Sequence, residues 1–515
     1  MKKIYVLISF FFFIAGNAQN ISFPDAFFKS KLVNSSASNE VAKDLGGNYF
    51  AVDANTDGEI QESEALQVSE LNLTSCNISD FEGIGYFENL EMLDCTDDGM
   101  SQGPVSLDIS GLTNLKKLIC QDNSLALGIS SFSNVEYLDL DYCHDLTILD
   151  FTGFDNLKFL SCSETDVVAL NLDGLTNLEY LDCGNFNQFT SVNLSSLISL
   201  KVLICNSSAV TSIDVSGLGN LEELRLRDNQ DLSNINLDGC TSLRILDCED
   251  SQLTSLTVSN LTQLEELYCD SNAITALNIS GCSNLKTIDC SRNFISNLDL
   301  NGLPNLRNLY CYHNQLTELD ASMATDLIEL YCDHNQMNFL DLSNLTSLQK
   351  LHCEFNQLPV LNANHLSHIE SMYCDHNEIV SLYIKNGVDE QTLVISNNPI
   401  AYICADASQF SSLQPYLDSH PDCAVDSSCS LNVSDFTDTV DGLTVSPNPA
   451  HGILNLSTKN RIDTIEIYNL LGQLVWNMKN AQNSNAVDIS GLNTGNYFIR
   501  ITTDKGNIIQ KFIKD

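Results

Sequence analysis

Basic residues are scarce in this 515-residue sequence. Its 24 Lys and Arg stand against 67 Asp and Glu, for a formal net charge of -43. A surface of that sign repels phosphate backbones and anionic lipid and favours cations and basic partners, so nucleic acid is excluded as a ligand. Long apolar runs are scarcer still. The one near the N-terminus is too short for a spanning helix and no later segment offers the ~18 successive apolar residues one needs, so no transmembrane segment is expected in the mature chain. Reaction motifs are missing too: there is no HExxH, GxSxG, phosphate-binding glycine loop or CxxC. The many carboxylates are spread along the whole chain and read as a solvated acidic surface, so the protein is not expected to be an enzyme.

The first residues, MKKIYVLISFFFFIAGNAQN, place Lys2 and Lys3 before an apolar run from Ile4 to Ile14 and small residues before Gln19. This is the pattern of a secretory signal occupying 1–18, with cleavage expected after Ala18.

What is abundant is a cycle. A segment LxxLxC recurs with its last position at Leu73, Cys95, Cys120, Leu140, Cys162, Cys183, Cys205, Leu226, Cys248, Cys269, Cys290, Cys311, Cys332, Cys353, Cys374 and Ile395. Most steps are 21 or 22 residues, and a fixed period in that range means a solenoid. Leu327, Leu330, Cys332, Met337, Leu340, Leu342 and Leu345 are the inward set of one coil, with equivalents in the next. Three residues after the cysteine slot comes asparagine, at Asn272, Asn293, Asn314, Asn335, Asn356, Asn377 and Asn398. A buried amide there can satisfy backbone groups of its own turn and of the adjacent coil.

This pattern resembles the leucine-rich repeat, LxxLxLxxNxL, with cysteine as the third leucine, over 71–399. Its short unit, with a second segment of the LDLS kind, looks like bacterial surface repeats of the internalin type. The resemblance implies one parallel strand per coil on a concave face and extended or irregular turns on the convex face.

The slot cysteines invite two functional readings, a disulfide ladder or a thiolate metal stripe. Neighbouring strands lie ~4.8 Å apart, which a disulfide tolerates, but side chains in register point in parallel and not at each other. The slot also holds cysteine in runs of two, three and seven, and odd runs cannot pair completely. The plain alternative, small buried inert thiols, is preferred. Cys240 and Cys282 replace a convex-side leucine; Cys76 and Cys143 occupy asparagine slots. A disulfide is expected instead between Cys404 and Cys423, in a cap spanning 400–429, with Cys429 left over.

At the other end, within a cap spanning 19–70, DANTDGEIQESE reads as a twelve-position loop. Asp53, Asn55 and Asp57 stand at positions one, three and five, Gly58 at six, Glu59 at seven and Glu64 at twelve. That is the pattern of an EF-hand calcium loop: short oxygen side chains wrap a hard cation, glycine allows the turn and the last glutamate closes the shell. The preceding PDAFFKSKLV is expected to be helical from Pro24. A single loop suits a structural Ca2+ better than a sensor, and an acidic turn that never binds metal is the plain alternative.

Residues 430–442 are polar and suit a linker. The tail, 443–515, has short strand-like segments at Ile453 to Leu456, Thr464 to Tyr468, Gln473 to Trp476 and Tyr497 to Thr502, punctuated by turn residues, which indicates a small β-sandwich. SPNPA, IYNLLGQLV, DISGLNTGNYFIRI and the ending KFIKD resemble the C-terminal sorting domain of type IX secretion cargo in the Bacteroidetes. By that resemblance the tail engages the type IX machinery and is then removed, with cargo anchored at the surface or released.

Three functions fit: a recognition module, a structural spacer or coat, and a cryptic hydrolase of surface polymers. Recognition of a protein or glycan is favoured because the outward column beside the cysteine slot changes character along the chain. It is acidic or small early, at Asp94, Ser161, Asp182 and Asp247. Later it reads Tyr268, Tyr310, Tyr331, His352 and Tyr373, joined by Tyr312 and by His313, His334, Phe355 and His376. Tyrosine offers a large stiff contact surface with a polar tip, and several would stand ~5 Å apart on neighbouring strands. Aromatic stacking that merely stabilises the sheet, and a histidine metal site through His313 and His334, are the alternatives.

Overall fold

The computed structural model describes residues 19–429 and 443–515 apart from 75, 97–106, 123–132, 145, 147–148, 152, 186–189, 459–460, 470–473, 480, 482–485 and 504–505. The expected signal, 1–18, and linker, 430–442, lie outside the described residues. Two compact units, 1–220 and 221–515, make up the chain.

The first unit opens with a helix at Ala26–Val33. Asp25 caps it, accepting from the Phe27 and Phe28 N–H through one oxygen and from Ser79 through the other. Pro24 therefore lies outside the helix and not at its first position, because the Asp25 carboxylate cap fixes the start at Ala26, two residues later. A strand at Ala42–Asp44 pairs antiparallel with Val68–Asn72 and closes that end of the sheet. From Val68–Asn72 the sheet runs parallel through Met92–Asp94, Lys117–Ile119, Tyr137–Asp139, Phe159–Ser161, Tyr180–Asp182 and Val202–Ile204.

In the second unit, parallel strands run from Glu223–Arg225 to Thr392–Val394, one per coil. The fold is a parallel-strand solenoid of about 16 turns. Each strand is three residues long, and its middle residue (Leu267, Ile288, Leu309, Leu330 and Leu351 among them) is fully buried in all but the last, where Leu393 is partly exposed. The slot residue follows the strand directly. Cys248, Cys269, Cys290, Cys311, Cys332, Cys353 and Cys374 are all buried thiols whose ionisation burial suppresses.

The asparagine slot explains why so short a coil holds its shape. Asn335 donates from Nδ2 to the carbonyls of Cys311 at 3.0 Å, Cys332 at 3.1 Å and Asp333 at 3.1 Å, and its Oδ1 accepts from Leu316 N–H at 3.0 Å. The same four bonds recur at Asn272 and at Asn398. One side chain thus satisfies its own turn and clamps it to the preceding coil. Where Cys143 replaces the amide, its thiol still donates to Cys120 O at 3.0 Å, the equivalent of the bond to the preceding coil.

The opposite side carries separate two-stranded parallel pairings, such as Ser255–Thr257 with Ala276–Asn278 and Glu318–Asp320 with Phe339–Asp341. Toward the C-terminus these become a four-stranded sheet of Val360–Asn362, Ser381–Tyr383, Tyr402–Cys404 and Ala424–Asp426. A helix at Phe410–Ser419 covers the last coil, and its Tyr416 hydroxyl donates to Asn398 O at 2.9 Å.

This cap corrects one expectation. Cys404 is bonded to Cys429, at a Cα separation of 5.1 Å, and Cys423 remains a thiol. Parallel pairing sets Tyr402 against Ala424 and Cys404 against Asp426, so Cys423 falls before the start of the partner strand, at the far end from Cys404. The turn after Asp426 brings Cys429 back instead.

The tail forms two antiparallel sheets. One comprises Leu443–Ser446, Ile453–Thr458 and Ala486–Asp488; the other comprises Ile462–Asn469, Leu474–Lys479, Gly495–Thr503 and Gly506–Lys514. Leu454, Leu456 and Val487 of the first pack against Ile465, Ile467, Ile499 and Ile501 of the second, so this is a sandwich. Asn448 of SPNPA accepts from Ile513 N–H at 2.8 Å, and Ala450 N–H donates to Ile513 O at 2.8 Å, which ties the motif to the last strand.

Candidate binding face

Register builds the face. Along the second unit's sheet, Tyr268, Asp289, Tyr310, Tyr331, His352 and Tyr373 are successive partners, each the last residue of its strand. Tyr310 and Tyr331 lie 5.2 Å apart between ring centroids and are tilted. Tyr331 stacks on His352 at 4.1 Å, and His352 on Tyr373 at 4.4 Å. Tyr268 is separated from this column by Asp289, so it does not join the stack; its hydroxyl donates to Glu266 at 3.1 Å.

A second column stands beside the first. His313 meets His334 at 4.2 Å, His334 meets Phe355 at 4.4 Å, and Phe355 meets His376 at 4.1 Å. Tyr312 lies edge-on to His313 at 5.8 Å, and the Arg292 guanidinium sits over the Tyr312 ring at 5.9 Å. All four members of the second column have φ between +51° and +52°. A bulky side chain there costs ~1–2 kcal/mol of backbone strain, which tilts its ring out of the strand row and into a file of its own. Phe355 is left 42% exposed.

Carboxylates interleave with the rings. Tyr310 donates to Glu329 at 2.6 Å, and Glu329 also meets Lys350 at 2.8 Å. Burial, then the bond to the neighbouring carboxylate and its charge, hold the Tyr310 phenol well above its ordinary range. Burial raises the Tyr268 phenol to about 12, aided by the charge of Glu266. Both stay neutral hydrogen-bonding edges at physiological pH.

The first unit holds aromatics that the column beside the cysteine slot does not reveal. Tyr137 stacks on Phe159 at 4.0 Å, Phe159 stacks on Tyr180 at 4.4 Å, and Lys117 sits over Tyr137 at 4.2 Å. These are the first residues of their strands, which point outward like the last ones because strand side chains alternate. Inspection of both outward positions of xLx would have found them. Close by, burial raises the Asp182 carboxyl to about 6, with Asp141 and Asp139 adding to the effect.

The loop expected to hold calcium is closed by its own hydrogen bonds. Gly58 has φ +81° and its N–H donates to Asp53 at 2.9 Å; Asp57 N–H donates to Asn55 at 2.8 Å and Glu59 N–H to Asp57 at 2.9 Å. Glu64 accepts from Ala54 N–H at 2.9 Å and Gln61 N–H at 3.0 Å, while Lys29 pairs with Glu59 at 2.7 Å. Among the described residues, the trios of side chains whose ligating atoms converge within 4.8 Å lie elsewhere, at His313, Asp333 and His334 and at Asp333, His352 and Glu354.

Residues 444–515 match the family described as the secretion system C-terminal sorting domain. The tail is a sorting domain. It indicates export by type IX secretion to the cell surface or outside. Among the described residues, no helix is long and apolar enough to cross a membrane.

No curated protein matches the chain by sequence. Among solved structures, the chain is similar to the functional domain of InlJ of Listeria monocytogenes, which is described as including a cysteine ladder. The identity is 22%, the coverage 96% of this chain and 99% of that one, and the TM-score 0.50. It is also similar to a leucine-rich repeat protein of Leptospira interrogans, at 20% identity with 71% and 97% covered and a TM-score of 0.46. For the internalin InlF of Listeria monocytogenes the values are 20%, 78%, 95% and 0.41. The likeness to the InlJ domain agrees with the observed coils in giving the fold, a leucine-rich repeat solenoid, and with the sorting domain this describes an exported leucine-rich repeat protein.

Proposed function

We propose that this exported protein is a recognition module that docks a protein or glycan ligand on the aromatic face between the coils of Tyr268 and Tyr373. The observation that carries the reading is the pair of ring columns, Tyr310 to Tyr373 and His313 to His376, standing side by side on one sheet face. Rings held by their neighbours lose little conformational freedom when a ligand lands, and their polar edges remain available. Catalysis has no role in this reading.

The test is a binding screen of the chain, in calcium, against host or prey proteins and a polysaccharide panel, followed by Tyr310→Ala with Tyr331→Ala. The double variant is expected to lose the ligand while keeping the fold. Unchanged affinity would move the binding face elsewhere, first to the Tyr137, Phe159 and Tyr180 stack. A chain that binds nothing in the screen would favour the spacer reading, in which the stacks only stiffen the sheet.

The same proposal includes one structural calcium in the loop of Asp53, Asn55, Asp57, Glu59 and Glu64. Their donor atoms are all hard oxygens, as calcium prefers. The amides of Asn55 and Gln61 now donate to Asp57, at 3.0 and 3.1 Å, places a cation would take. Calcium is expected to raise the thermal midpoint, and Asp57→Ala with Glu64→Ala to abolish the increment. Identical melting curves in calcium and in chelator would sink this part.

A further inference from the structure

The face around Asp333 gathers histidines and carboxylates whose ligating atoms converge. One ligating atom from each of His313, Asp333 and His334 lies within 4.8 Å of the other two, and the same holds for Asp333, His352 and Glu354. Asp333 belongs to both trios, so five residues from three successive coils form one continuous group. The repeat period builds it: His313 and His334 occupy one position of successive coils, and Asp333 and Glu354 another, each 21 residues apart.

The rings are already oriented. His334 is held between His313 and Phe355, and its Nδ1 lies 2.9 Å from Asp333 Oδ2. That contact sets a carboxylate oxygen and an imidazole nitrogen side by side, as two ligands of one ion must stand.

A second, independent observation concerns Glu354. Its side chain is only 16% exposed; Oε1 lies 3.4 Å from His352 Nδ1, and Oε2 is buried with no hydrogen-bond partner. A buried carboxylate oxygen without a donor is costly, and a cation beside it removes the cost.

We infer that this cluster binds one divalent transition-metal ion of the zinc class between the imidazoles of His313 and His334 and the carboxylate of Asp333. His352 and Glu354 flank the shared carboxylate, where the orphaned oxygen meets the charge of the ion. Two imidazoles with one carboxylate suit zinc and its neighbours and leave a coordination position open, whereas calcium and magnesium prefer oxygen alone. The site shares His313, His334 and His352 with the ring columns, but it is tested separately, because it takes metal whether or not a macromolecule lands on the face.

The experiment is calorimetric titration of the calcium-saturated full chain with Zn2+ alone. One equivalent is expected to bind. His313→Ala and His334→Ala, both at partly exposed positions, are each expected to weaken it by about tenfold or more with unchanged circular dichroism. Glu354→Gln, which keeps the shape and removes the charge, is expected to weaken it several-fold. Asp57→Ala and Cys423→Ser separate this site from the calcium loop and from the half-buried thiol, and both are expected to bind as the parent does. The inference is overturned if the parent binds no zinc, if the two histidine variants bind it equally well, or if Cys423→Ser abolishes it.

Discussion

Removing one rung of the asparagine ladder tests the account of the solenoid most directly. Asn335→Ala deletes four hydrogen bonds at once: three carbonyls, of Cys311, Cys332 and Asp333, lose a donor, and Leu316 N–H loses its acceptor. The residue is 8% exposed, so water replaces these partners poorly. At about 1 kcal/mol net per bond, more for each group left buried and unpaired, the cost is on the order of 3–5 kcal/mol. Asn335→Asp separates bonding from volume, because it fills the space but turns the donor into an acceptor facing three carbonyls; it is expected to cost at least as much. Gln336→Ala, one residue away and exposed, is the neutral control. The assay is urea unfolding of the full chain followed by circular dichroism. Since a coil touches only its neighbours, the damage should be local, appearing as an earlier first transition or a reduced slope and not a uniform shift. A loss below about 1 kcal/mol for Asn335→Ala would refute the claim that the amide holds successive coils together.

Three further outcomes follow from the structure. Burial holds Asp182 and Asp270 up to about 6 and Glu249 up to about 7, above their unfolded values. The folded state therefore binds these protons more tightly, and their contribution to stability is lost as pH rises through 6 to 7. The melting midpoint is expected to rise as pH falls from about 7.5 to about 5, and Asp182→Asn to raise it chiefly at the higher pH; a midpoint that falls over that interval would contradict this. Iodoacetamide is expected to leave the slot thiols from Cys248 to Cys374 unmodified until denaturant is added, and rapid native labelling of any of them would show that its coil opens. Peptide mapping without reduction is expected to recover Cys404 joined to Cys429, and Cys429→Ser to cost about 3 kcal/mol for a loop of this length; recovery of Cys404 with Cys423 would reverse the assignment.

The sequence by itself determined the coil. A period of 21 residues, a buried leucine at the centre of each strand and an asparagine three places after the slot are local instructions repeated until they leave one architecture. The tail was equally legible, since SPNPA and the alternation in its strands specify a small sandwich. What depended on tertiary structure was which residues meet across coils. Tyr268 has the same place in its coil as Tyr310, yet Asp289 lies between them in the sheet and isolates it. Tyr137, Phe159 and Tyr180 became one stack only through strand register, and Asp333 joined two trios because neighbouring coils bring side chains 20 residues apart within reach. The partner of Cys404 was decided the same way, by the parallel alignment of Ala424–Asp426 and not by order along the chain. A repeat writes its own backbone, because the forces that close a coil act within it and on the next. Pairings between particular side chains depend on the offset between coils, which exists only once they are stacked.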